Sequence, residues 1–233
     1  EPSNQLLLFG RQTSNEMLSR YGTYHVFQPH DSALIKNQFK EVDLVYYLAS
    51  ASIPASTWNQ PMLEITNNLQ PFVSFMEALV ETGCKKIAFV SSAGTVYGST
   101  KGKVDESYPR KPIAPYGIIK CAMENFLEYY QVKCDIQTDI YRVSNVYGEG
   151  QDISKGLGVI NIFLHKIKTE GKVTVFGDGS NTRNYIYVGD VARLLMLSKE
   201  NMDQSGIYNV SSFDTYSINE LIEKLKEAMR QSF

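Results

Sequence analysis

The chain alternates short, nearly continuous apolar runs with longer segments whose apolar residues recur every three or four positions. Gln5–Gly10 (QLLLFG), Thr23–Phe27, Val42–Leu48 (VDLVYYL), Lys86–Ser91 (KIAFVS) and Asp135–Val143 (DIQTDIYRV) have the length and apolar content of buried strands. Helices are expected between them, near Asn15–Tyr21, Ser32–Phe39, Met62–Thr82 and from Tyr116 to about Val132. In the Met62–Thr82 segment, Phe72, Phe75, Met76, Leu79 and Val80 fall at i, i+3 and i+4 spacing, which lines up one apolar face. Strands separated by helices imply βαβ units and a parallel sheet covered on both faces.

Past Gly148 the rhythm loosens. A helix is expected near Gly158–Thr169, then strands at Val173–Phe176 and Tyr185–Val188 flanking the turn signal Gly177-Asp178-Gly179. A helix near Asp190–Lys199, a strand at Ile207–Val210 and an amphipathic helix at Ile218–Met229 come next. Ser217 and Glu220 have the spacing of a capping box for that last helix. The chain therefore divides into an α/β unit over residues 1–150 and a mixed segment over 151–233.

Composition narrows the possibilities. The 233 residues are 43% hydrophobic and 21% charged, which is ordinary for a globular protein. A net charge of −2 gives no electrostatic reason to expect nucleic acid or an anionic membrane surface as a partner. No apolar run approaches the ~18 residues that a membrane span needs, and Glu1-Pro2-Ser3-Asn4-Gln5 does not resemble a signal peptide. Cys84, Cys121 and Cys134 are odd in number and lack paired spacing, which points to a reduced, cytoplasmic protein. His25, His30 and His165 are scattered without metal-ligand spacing, so no metal is expected.

The unusual polar residues fall at the carboxyl ends of the expected strands, where open parallel sheets bind ligands. Leu48-Ala49-Ser50 follows the third strand, Ser91-Ser92-Ala93-Gly94-Thr95-Val96-Tyr97-Gly98 the fourth, and Arg142-Val143-Ser144-Asn145-Val146-Tyr147-Gly148 the fifth. Small residues there let a flat ligand approach the backbone. Tyr116 and Lys120 stand four apart just after Pro115, so one helix face presents both. An ammonium beside a phenol favours tyrosinate and equips the Tyr to exchange a proton with a hydroxyl. Read alone, the pair is a partly exposed aromatic beside a solvated lysine; its surroundings raise its meaning.

The order VSSAGTVYG, PYGIIK, RVSNVYGEG and RNYIYVGDVA resembles the extended short-chain dehydrogenase/reductases, and more narrowly the nucleotide-sugar epimerases and dehydratases of the UDP-glucose 4-epimerase type. The resemblance implies a Rossmann-like, doubly wound parallel sheet with a small C-terminal substrate-binding lobe. It implies an NAD(P)-dependent oxidation and reduction of a nucleotide sugar through a keto intermediate. Tyr116 would be the acid/base, and Lys120 would bind the nicotinamide ribose and lower the Tyr pKa. The hydroxyl partner would be Ser92 or Thr95, with Ser92 favoured, because Ala93 occupies the usual position. Leu48, Ala49, Ser50 and Asn68 would lie along the cofactor; Thr95, Asn145 and Arg183 would meet the substrate. A homodimer is expected through the helices near 62–82 and 115–132.

The resemblance also exposes departures. The matched segments place Gln5–Gly10 at the family's second strand, so the first strand, the glycine-rich turn and the first helix are expected to be absent from this chain, as is part of the C-terminal lobe. NAD is the expected cofactor. Arg11, at the end of that strand, would suit the 2′-phosphate of NADP instead. Gln28 stands where an Asp usually contacts adenine, and Asn184 replaces the Asp that usually follows Arg183. A relative that binds the cofactor or acts as a scaffold without turnover is the competing expectation.

Overall fold

A strand flanked by helices on both faces must be apolar on both, and the fourth strand shows the consequence. The computed structural model describes residues 5–10, 20–27, 31–53, 58–100 and 102–231. In β4 (Lys86–Ser92), Ile87 and Phe89 point to one face while Ala88 points to the other. It pairs in parallel with β3 (Leu44–Tyr47) on one side and β5 (Gln137–Val143) on the other. β8 (Gly206–Val210) adds in parallel to β5, giving the order β3-β4-β5-β8. β1 (Leu7–Gly10) and β2 (Thr23–Val26) form a separate parallel pair.

The first face of the sheet is covered by α1 (Ser32–Gln38), α3 (Gln70–Val80) and α5 (Pro115–Cys134), whose buried Ile35, Phe72, Phe75, Leu79, Met123 and Leu127 meet Phe27, Tyr47, Ile87, Phe89 and Ile140. Aromatic rings interlock there edge to face, as Tyr47 on Phe72 at 5.1 Å. The opposite face packs Ala88, Tyr141, Val143 and Val210 against Val191 of α7 (Val188–Glu200) and Ile186 of β7 (Thr182–Tyr187). Helices on both faces make the sheet doubly wound, as the alternation of strands and helices predicts.

The C-terminal part has its own sheet and core. β7 pairs in parallel with β6 (Asn145–Tyr147) and antiparallel with β9 (Thr215–Ser217). On it pack α6 (Val159–Glu170) and α8 (Ile218–Gln231), through Ile160, Phe163, Tyr185, Leu221 and Leu225. The capping box forms: the Ser217 N–H donates to Glu220 at 2.8 Å, and the Glu220 N–H donates to Ser217 Oγ at 3.1 Å. No helix of the described residues is long and apolar enough to cross a membrane.

Two expectations change. Val173–Phe176 is not a strand. β7 takes both of its partners from β6 and β9, leaving this run unpaired with Phe176 almost fully exposed. The single helix expected over Met62–Thr82 is interrupted: α2 (Pro61–Glu64) passes into a π-helical turn at Ile65–Leu69 before α3, where the Gln70 N–H bonds the Ile65 carbonyl five residues back. The helix near Asn15–Tyr21 falls largely outside the described residues, as do Arg11 and Gln28.

At the amino end of the sheet, opposite the strand ends that carry the chemistry, Lys86 is fully buried and pairs with Asp139 of β5 at 2.7 Å. Its Nζ also donates to the carbonyls of Asn201 and Gln204, tying the turn before β8 to the sheet. Ser198 of α7 donates to the same carboxylate. Breaking one member of a buried ion pair strands the other charge. Lys86→Met is expected to cost about 3–5 kcal/mol of stability, and adding Asp139→Leu is expected to restore part of it. A denaturation double-mutant cycle measures both.

Candidate active site

Three strand ends and one helix converge at the carboxyl edge of the sheet. Helix α5 starts there with Pro115 at its first turn, where the missing N–H and fixed φ of proline are no handicap. The next residue but one is Gly117, and a Cβ there would lie 2.5 Å from the Thr95 carbonyl oxygen and 3.1 Å from Pro112. Glycine thus lets α5 press against α4 (Ala93–Val96), the short helix that follows β4. This close approach sets Tyr116 beside the strand ends. Gly98, closing the VYG motif, has φ +71 and faces the Lys111 carbonyl, so it too admits no side chain.

Tyr116 and Lys120 lie on one face of α5, as their spacing predicts, and line a narrow cleft with Ser50, Glu64, Asn68, Ile119 and Met123. Lys120 is buried. Its Nζ donates to the Val90 carbonyl at 2.9 Å and sits 4.7 Å above the Phe89 ring and 5.7 Å from the Tyr116 ring centroid. Burial pulls its pKa down to about 8, against the opposing pull of Glu124 and Glu64. The Tyr116 hydroxyl is pushed up from its ordinary value, first by burial, while the neighbouring Ser50 side chain opposes the rise and the charge of Glu64 adds to it. The lowered phenol pKa expected from the pair is therefore not produced by these residues. The ammonium is turned to the Val90 carbonyl and shielded by apolar side chains, and desolvation dominates.

Asn68, expected beside the cofactor, is buried in the π-turn. Its Oδ1 accepts from the Ala51 N–H at 2.7 Å; its Nδ2 donates to Ser52 Oγ at 2.8 Å and to Glu64 Oε2 at 2.7 Å. It therefore ties the helix to the loop after β3. In that loop Leu48, Ala49 and Ser50 are exposed, Leu48 at 62%. An exposed apolar side chain at a strand end offers a flat surface for a ring.

Ser92 caps α4 by position, yet its side chain makes no capping bond and its hydroxyl has no partner among the described residues. Its neighbour Ser91 is committed elsewhere: its Oγ donates to Glu124. Thr95 reaches only the Ser92 carbonyl, at 3.5 Å. Ser92 is thus the freer hydroxyl of the two candidates. Asn145 and Arg183 belong to the second sheet. Asn145 donates to the Asn184 carbonyl at 2.8 Å, and exposed Arg183 donates to the Thr182 carbonyl at 2.8 Å. Neither lines the cleft around Tyr116.

Beneath the cleft lies a buried ionic cluster that motif reading misses. Glu124, one turn beyond Lys120, is fully buried and accepts from Ser91, from Arg110 at 3.0 Å and from Arg142 Nη2 at 2.8 Å. Arg142 of β5 also donates to the Tyr97 hydroxyl at 2.7 Å, and Tyr97 donates to Asn209 at 2.7 Å. Glu64, at 1% exposure, is likewise unforeseen. A sequence signal exists for both. Glu64 and Asn68 continue the stripe Phe72, Phe75 and Leu79, and Glu124 continues Gly117 and Lys120 toward Leu127. Polar residues on a buried stripe mark internal networks.

Comparison with known proteins places this arrangement. The family model described as the NAD dependent epimerase/dehydratase family matches residues 6–211. The chain belongs to that family. It is 34% identical over 192 residues, 82% of its length, to a Methanocaldococcus jannaschii protein assigned by name to UDP-glucose 4-epimerase, and it spans 62% of that relative. It is 31% identical over 215 residues to an Escherichia coli dTDP-4-dehydro-6-deoxyglucose reductase, covering 90% of this chain and 68% of the relative. Among solved structures, the Thermotoga maritima UDP-glucose 4-epimerase with UDP-glucose superposes with a TM-score of 0.87 at 27% identity, over 96% of this chain and 74% of that one. The Rossmann-like fold is therefore common to the chain and its relatives.

Burial disfavours the Lys120 ammonium, so in the folded chain it loses its proton at a pH of about 8, whereas in the unfolded chain it titrates near its ordinary value. The unfolded state then binds more protons between those two values, so Lys120 makes stability rise with pH across that window. The stability of the native chain relative to Lys120→Met is expected to improve as pH rises above 8. Paired denaturation curves across this range check the sign.

Proposed function

We propose that this protein is an NAD(P)-dependent enzyme acting on a nucleotide sugar, an epimerase or dehydratase in which Tyr116 exchanges a proton with a sugar hydroxyl. The observation that carries the reading is the half-buried Tyr116, set among Ser50, Asn68 and Lys120 at the carboxyl edge of a parallel sheet. Relatives named as UDP-glucose 4-epimerase and as a dTDP-sugar reductase support the substrate class and the redox chemistry.

The residues fit a nicotinamide cofactor by their chemistry. Exposed Leu48 and Ala49 offer an apolar surface, and Lys120 carries a donor at the cleft floor for a ribose hydroxyl. NAD, or NADP with Arg11 as its phosphate partner, would supply hydride acceptance and return. Tyr116 would take the hydroxyl proton as the sugar is oxidised and give it back on reduction. Ser92, with no partner among the described residues, would hydrogen-bond the same sugar oxygen and steady its developing charge. Ser50 would hold the Tyr116 hydroxyl in place. Asn145 and Arg183, on the second sheet, would meet the nucleotide end, where a guanidinium fork suits a diphosphate.

In the full-length protein, Tyr116→Phe is expected to lower UDP-sugar interconversion by about 10²–10⁴-fold without altering the melting transition. Undiminished turnover would sink the assigned role.

The reading extends to a cytoplasmic homodimer. Ile118 and Tyr129 on α5 are 51% and 53% exposed, and Met62 and Ile65 add apolar surface beside the π-turn. Ile118→Asp combined with Tyr129→Lys is expected to convert a dimer to a monomer in sedimentation velocity. An unchanged sedimentation coefficient counts against that interface.

A further inference from the structure

Glu64 lines the Tyr116 cleft and has no part in the proton transfer assigned to Tyr116. A carboxylate at 1% exposure is rarely withdrawn this far without a purpose or a fixed partner. Its Oε2 accepts from Asn68 Nδ2 at 2.7 Å. A carboxylate that only accepts dictates which end of the amide faces it. The Asn68 carbonyl oxygen is therefore turned to the Ala51 N–H at 2.7 Å, and the amide nitrogen reaches Ser52 Oγ at 2.8 Å. Ser50 Oγ in turn donates to the Ser52 carbonyl at 3.0 Å, and Ser50 lines the cleft beside Tyr116, where it opposes the rise of the phenol pKa. Hydrogen bonds thus connect Glu64 through Asn68 to the Ser50–Ser52 turn, and Ser50 of that turn lines the cleft with Tyr116.

We propose that Glu64 is a positioning residue for Tyr116: by fixing the Asn68 amide it holds the Ser50–Ser52 turn so that Ser50 stays against the reactive phenol. The proposal rests on the acid/base role assigned to Tyr116. Asn68 lies in the π-turn and Glu64 just before it, and both line the cleft, while α3 continues with Phe72, Phe75 and Leu79 in the core. The charged groups facing Tyr116 and Lys120 are Glu64 from the preceding helix and Glu124 from α5, with Lys120 itself; Ile119 and Met123 complete the wall as apolar side chains. Glu64 therefore has a second effect through its charge. It favours the neutral phenol and the protonated ammonium, so the resting site holds a proton ready to give.

Two substitutions separate the two effects, because they move the Tyr116 titration in opposite directions. Glu64→Gln keeps an acceptor for Asn68 and removes the charge, so the Tyr116 midpoint is expected to fall. Asn68→Ala leaves the charge and breaks the relay, so Ser50 is released and the midpoint is expected to rise. Each is followed in the full-length protein by NMR of ring-labelled tyrosine, with thermal melts to verify the fold. In turnover, Asn68→Ala and Glu64→Ala are expected to lower kcat about ten- to a hundredfold with KM little changed, and Glu64→Gln is expected to recover most of that loss. Tyr116 midpoints that stay at the native value in folded Glu64→Gln and Asn68→Ala proteins overturn the proposal. The NMR arm reads positioning directly, so it stands even if Tyr116→Phe shows that the phenol is not the acid/base.

Discussion

The Glu124 carboxylate is fully buried, and it is held by Ser91 from β4, Arg142 from β5 and Arg110 from the loop before α5. Removing a carboxylate from water costs several kcal/mol unless its oxygens are met by well-placed donors. All of those donors come from different segments, so the cost is offset only when helix and strands adopt one mutual register. A shift of α5 by one residue along the sheet would carry Glu124 away from Arg142 and leave both charges buried and unpaired. The apolar contacts of Met123 and Leu127 are non-directional, whereas this hydrogen-bonded ionic contact fixes direction as well as distance. Lys120 stands one turn above Glu124, and Tyr116 one turn above Lys120, so the placement of the reactive hydroxyl depends on the same constraint.

That constraint shapes the chemistry of the cleft as well as its geometry. Seating α5 firmly on the sheet buries Lys120 against Phe89 and half-buries Tyr116. Burial then acts on the two groups in opposite senses, raising the phenol and lowering the ammonium. Both shifts favour the uncharged forms, so the resting pair keeps its proton on the phenol instead of dividing into tyrosinate and ammonium. The short distance between α5 and α4, permitted by Gly117, brings the start of α5 against the segment that follows β4.

The doubly wound sheet was legible in the sequence because buried parallel strands are apolar on both faces, and such runs stand out. The Tyr116–Lys120 face was legible from spacing alone, and Ser91–Ser92 and Ser50 from their places after strands. Val173–Phe176 misled because a strand is defined by its neighbours, and alternation within four residues says nothing of whether a neighbour exists. The π-turn was hidden because a one-residue insertion leaves local helical spacing nearly intact. Glu64 and Glu124 were passed over as surface carboxylates, although each sits on an otherwise apolar stripe. The acidity of Tyr116 could not be read from the Lys at i+4, since desolvation depends on residues distant in the chain. Arg183 and Asn145 could be assigned to a sheet only after β6 and β9 were seen to flank β7.

The π-turn has a consequence for how this protein can change. One extra residue rotates the preceding part of a helix by about 100° about its axis relative to the succeeding part. Residues 61–64 and residues 70–80 therefore answer to different demands, the first to the cleft and the second to the core. Loss of a single residue within Ile65–Leu69 would turn the cleft side of the helix away while α3 kept its hold on Phe27 and Phe89. A one-residue deletion there would therefore disturb the wall of the site more than the interior beside it.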